Sequence, residues 1–76
     1  MPRLICTYRD FIDVLRRNGF QIHRQGVGSH TRWRGEFGGT VRLVDVAGHN
    51  ANDEIPTGTL KSMLRQSGFP AKWFRK

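Results

Sequence analysis

The sequence predicts an α+β fold in the order helix, three strands, helix, with an antiparallel sheet and both helices on one of its faces. Three observations carry this expectation. Apolar residues recur at helical spacing near either end, residues alternate with a period of two through the middle, and glycine-rich joints separate the alternating runs.

The first helix is expected over residues 7–17, where Tyr8, Phe11, Ile12 and Leu15 line one face. Thr7 and Asp10 make a Thr-x-x-Asp start in which the hydroxyl accepts a first-turn N–H. Arg16 and Arg17 suit the negative end of the helix dipole, and Asn18-Gly19 supplies the stop. Residues 20–23 alternate as a first strand, with Phe20 and Ile22 facing one way, and Gln25-Gly26-Val27-Gly28 is a turn. Residues 29–34 form the second strand. Its period sorts Thr31 and Trp33 onto one face and His30, Arg32 and Arg34 onto the other.

Residues 35–39, Gly-Glu-Phe-Gly-Gly, read as a hairpin connection. In the third strand, residues 40–46, Val41 and Leu43 oppose Arg42, while Val44 and Val46 fall on the Arg42 face; a bulge and a two-sided strand both fit. Residues 47–53 are polar and irregular. The second helix is expected over residues 57–67, with Leu60, Met63 and Leu64 as its apolar stripe and Gly68 and Pro70 ending it. The tail, residues 71–76, has room for one short helical turn that folds Trp73 or Phe74 onto the core. Tyr8, Phe11, Leu15, Leu60, Met63 and Leu64 are expected to be core.

A chain of 76 residues is expected to form one domain over residues 1–76. So small a body buries only about 60% of the surface that its unfolded chain exposes, which favours action on a large substrate across an open face over a deep pocket. Thirteen Lys and Arg stand against six Asp and Glu, a net charge of +7, and ten of the cations are Arg. Forked guanidiniums suit phosphate, and a positive field on a small body steers it to polyanions.

Cys6 is the single cysteine, which excludes an internal disulfide and a thiolate metal cluster; it reads as a small apolar filler. No apolar run approaches the roughly 18 residues of a membrane span. Residues 1–6 lack the apolar stretch of a signal peptide, so a soluble cytoplasmic protein is expected.

The row of His30, Arg32 and Arg34 is the most informative local pattern. An imidazole can give or take a proton near neutral pH, and neighbouring guanidiniums can hold phosphate and stabilise developing charge. Gly28 permits close approach of a phosphate backbone or simply relieves a turn. Ser29 shares a strand face with Trp33 by parity, which favours a structural role over a contact to the polyanion. His49 is a complementary acid, a phosphate-positioning group or an ordinary loop residue. His23 has the parity to join an exposed basic face with Arg42. Thr57-Gly58-Thr59 presents N–H groups at the positive end of a helix dipole with Lys61 nearby, although plain capping by Thr57 explains the same residues. Three His without a cysteine partner or a helix-borne pair predict no metal site.

A helix, then Asn18-Gly19-Phe20, then Gly28-Ser29-His30 opening a strand resembles the HicA toxins of bacterial toxin–antitoxin pairs. The second half is similar too: Gly48-His49, Ile55-Pro56-Thr57-Gly58-Thr59-Leu60 and Leu64-Arg65-Gln66-Ser67-Gly68-Phe69. The resemblance covers almost the whole chain, from Tyr8 to Phe69. It implies a double-stranded-RNA-binding-domain-like fold and a type II toxin that cleaves mRNA as a metal-independent endoribonuclease, without cofactor, and arrests growth. It further implies neutralisation by a HicB-type antitoxin and a catalytic role for His30; with RNA as the substrate, the residues read above give Arg32, Arg34, Gly28, Ser29 and Lys61 as RNA-binding candidates and His49 as a secondary one. Two positions depart from the family pattern: Thr31 stands where members often carry a second His, and Val46-Ala47 where they often carry Val-Pro. A non-catalytic double-stranded-RNA-binding module and a protein-interaction domain are the alternative classes.

Overall fold

A computed structural model describes residues 3–25, 30–47 and 50–75. The elements are α1 (Tyr8–Arg17), β1 (Gln21–Gln25), β2 (Thr31–Phe37), β3 (Thr40–Val46), α2 (Thr57–Ser67) and a 3-10 turn, Ala71–Phe74. This is the α+β order expected. Helix α1 begins as its sequence dictates, with the Thr7 hydroxyl accepting the Asp10 N–H at 3.2 Å. It buries Phe11 and Leu15 completely and packs Tyr8 and Ile12 against the rim of the core.

The three strands lie in the order β1-β2-β3, all antiparallel. Pairing of β2 with β3 is regular from Thr31 opposite Val46 to Phe37 opposite Thr40. Strand β3 therefore contains no bulge. Val44 and Val46 are its buried residues, and Val41 and Leu43 are left half exposed on the other side.

The hairpin is tighter than the sequence suggested. Only Gly38 and Gly39 form it, with φ of 65° and 78°, the positive values that a two-residue turn matching the twist of the strands requires. Gly35 to Phe37 instead extend β2. Gly35 sits there for space: a Cβ at this position would meet the Phe20 ring at 2.6 Å. The ring fills the gap that the missing side chain leaves.

Strand β1 starts one residue later than expected, and its register shifts between Ile22 and Arg24. Phe20, just before the strand, is buried. Ile22 pairs opposite Trp33, yet it lies on an edge strand and remains 50% exposed.

Phe69 joins the layers. Its ring lies 5.9 Å from Phe11, 5.4 Å from Phe20 and 4.9 Å from Phe37. Of the two aromatic candidates in the tail, Phe74 closes the core, stacked 5.2 Å from Phe11, and Trp73 stays 44% exposed. The start of the chain is laced between later segments: the Ile5 N–H donates to Phe74 O at 2.9 Å, and Cys6 O accepts the Ile55 N–H at 2.8 Å.

Helix α2 buries Leu60, Met63 and Leu64 and ends at Gly68 as expected. Its start differs. Pro56 holds the cap position, and no side chain caps the helix, so Thr57 does not perform that role. Buried Ser67 is satisfied locally, donating to Leu64 O and accepting the Phe69 N–H. The smallest dimension of the molecule is 19 Å, the depth of one sheet and one helical layer.

Candidate nucleic-acid interface

The sheet face away from the helices carries Arg32, Arg34 and Glu36 from β2 and Val41, Leu43 and Asp45 from β3, all exposed. His30, just ahead of β2, is exposed as well. The register shift in β1 turns Arg24 onto this face, directly opposite Arg32. A row of Arg24, Arg32 and Asp45 thus crosses all three strands. His30, Arg24, Thr31, Arg32 and Asp45 line an open cleft of about 370 Å³.

Two like charges directly opposite each other on a sheet repel. Asp45 offsets this from the far side: Arg32 Nε donates to Asp45 Oδ1 at 2.8 Å, and Nη2 reaches Oδ2 at 3.5 Å. That hydrogen bond, followed by the carboxylate charge, raises the Arg32 pKa above its ordinary value. Arg32 is therefore not an isolated cation, whereas Arg24 enters no side-chain ion pair among the described residues.

The strand carrying the cleft is anchored from its inner side. Trp33 is 3% exposed, and its indole N–H donates to the Thr31 hydroxyl at 3.1 Å. The guanidinium of Arg16, in the last turn of α1, lies 5.5 Å above the indole. Thr31 lines the cleft and at the same time satisfies the buried indole through its hydroxyl. Replacing Thr31 with Val keeps the shape and removes the acceptor, leaving a buried N–H unpaired. A loss of about 1–2 kcal/mol is expected in chemical denaturation.

A family model described as the HicA toxin of bacterial toxin–antitoxin matches residues 8–69. The chain belongs to the HicA toxin family. Comparisons with curated proteins and with solved structures gave no match. The matched span runs from α1 through Phe69 and includes every residue of the cleft, so the open sheet face is part of the HicA domain itself.

Of the HicA site residues expected from sequence, His30 and Arg32 line the cleft, and Arg34 is exposed on the same face further along β2. Lys61 is exposed on α2 and is not a lining residue of the cleft. Gly28, Ser29 and His49 lie outside the described residues. His23 is exposed at the register shift, but it does not share a basic face with Arg42. Arg42 points to the helical side, packs against Gly68 and donates from Nε to Phe37 O at 3.4 Å.

Arg24 and Asp45 were missed in the sequence. Strict alternation through β1 groups Arg24 with Phe20 and Ile22, and only the shift after Ile22 reverses that parity. No three His, Cys, Asp or Glu side chains gather to hold a metal among the described residues, and no helix there is long and apolar enough to cross a membrane.

Proposed function

We propose that the chain is a metal-independent endoribonuclease that cleaves mRNA, the toxin of a type II pair whose antitoxin is of the HicB type. The observation that carries this is the meeting, in one open cleft, of the exposed His30 with the guanidiniums of Arg24 and Arg32. RNA carries its own nucleophile beside each phosphodiester. His30 removes the 2′-hydroxyl proton, the 2′ oxygen attacks phosphorus, and the P–O5′ bond breaks. A 2′,3′-cyclic phosphate and a 5′-hydroxyl result, with the leaving oxygen protonated from water. The guanidiniums stabilise the charge that develops on the phosphoryl oxygens. A partner of opposite charge that covers the basic sheet face blocks all of these groups together, as expected of the antitoxin.

Incubation of RNA with the purified protein in excess EDTA tests the proposal. Scission supports it. If RNA is not cut in EDTA, scission that returns when the chelator is left out would mark a metal-dependent nuclease, salt-sensitive retention without scission under either condition a binding module, and the absence of both scission and retention a protein-interaction domain. Arg24→Gln is expected to weaken binding of an uncleavable 2′-O-methyl RNA and to reduce the steepness of its salt dependence by about one counterion. An unchanged salt slope would remove Arg24 from the phosphate contacts.

A further inference from the structure

The side-chain ion pair between Arg32 and Asp45 is the single one among the described residues, in a chain of thirteen cations and six acids. It lies in the cleft where a carboxylate should be least welcome to RNA. Stability does not explain its place, because the partners are 45% and 57% exposed and ion pairs so open to water add little to a fold.

Its geometry does. The carboxylate takes Nε and Nη2 of Arg32. Of the five N–H donors of a guanidinium, three remain for another acceptor. Asp45 is itself held in place, since its backbone N–H donates to Gln66 Oε1 of α2 at 3.0 Å. Arg32 is thereby bracketed by the carboxylate of a residue whose backbone is tied to α2 on one side and by Arg24 on the other.

We propose that Asp45 is a positioning residue, holding the Arg32 guanidinium by one edge so that its remaining donors receive a phosphate oxygen beside His30. The proposal rests on the nuclease function above and adds a residue to it. Fixing a donor where charge develops helps the transition state more than the bound ground state. The negative charge of Asp45 at the same time weakens the long-range attraction of RNA. Its removal should therefore affect turnover and binding in opposite directions.

Steady-state cleavage of an RNA oligonucleotide at fixed salt by wild type, Asp45→Asn, Asp45→Glu, Arg32→Ala and the Arg32→Ala/Asp45→Asn double variant is the test. Asp45→Asn is expected to lower kcat about tenfold with KM unchanged or lower. Asp45→Glu, which restores a carboxylate, should recover at least half of the loss. In the Arg32→Ala background the Asn substitution should change kcat less than about twofold, because the group it positions is gone. A wild-type kcat in Asp45→Asn, a Glu variant no faster than Asn, or a full tenfold loss in the Arg32→Ala background each overturns the positioning role. If cleavage by the wild type depends on His30 while Asp45→Asn is unaffected, only this inference falls. If the wild type does not cut RNA, the nuclease assignment falls and takes the inference with it.

Discussion

His30→Ala is expected to reduce RNA cleavage by about 10²–10⁴-fold, the range that a positioned acid–base group contributes. The fold should survive the change, since His30 is exposed and lies outside the core cluster. Circular dichroism and the thermal midpoint should match wild type within error. Binding of uncleavable RNA should also persist, because Arg24 and Arg32 retain their charge. Expression of the two forms gives a second readout: growth arrest and transcript loss with wild type, neither with the variant. Full activity in a folded His30→Ala protein would remove the central assignment.

Gly35→Val is expected to cost about 3 kcal/mol of stability, more than an ordinary surface substitution by a wide margin. Valine favours strands, so propensity alone predicts a gain at this position. Space predicts the reverse. A Cβ placed on Gly35 would sit 2.6 Å from both Cγ and Cδ1 of Phe20, a buried ring that cannot swing clear at its tip alone. Either β2 must shift or Phe20 must leave the core and its contact with Phe69. A protein of this size has roughly 4–11 kcal/mol in total, so the variant should show a much lower denaturant midpoint. A loss below about 1 kcal/mol would mean that the Phe20 contact is looser than it stands here.

The same glycine illustrates where sequence reading failed. Gly35 belongs to a Gly-Glu-Phe-Gly-Gly run that any turn rule assigns to a loop. Its structural reason, an aromatic ring from before β1, is a tertiary contact invisible to local rules. Helix α2 was legible because its apolar spacing and its glycine stop agree with each other, and α1 gained a cap from Thr7. The His30, Arg32 and Arg34 row was legible because Trp33 fixes the parity of β2. Arg24 was not, because one register shift in β1 reverses the parity that alternation assumes. Asp45 escaped for a different reason: a lone acid in a basic chain carries no pattern until its cross-strand partner is known.

The two tryptophans occupy very different surroundings. Trp33 is sealed beneath a guanidinium and hydrogen-bonded to Thr31, whereas Trp73 keeps almost half its surface in water. Their emission therefore separates: the sealed indole fluoresces at shorter wavelength and resists collisional quenchers, and the other reports the solvent. With Trp73 replaced by phenylalanine, the remaining fluorophore would sit on the very strand that carries Arg32, an intrinsic optical gauge of whether that strand is in place.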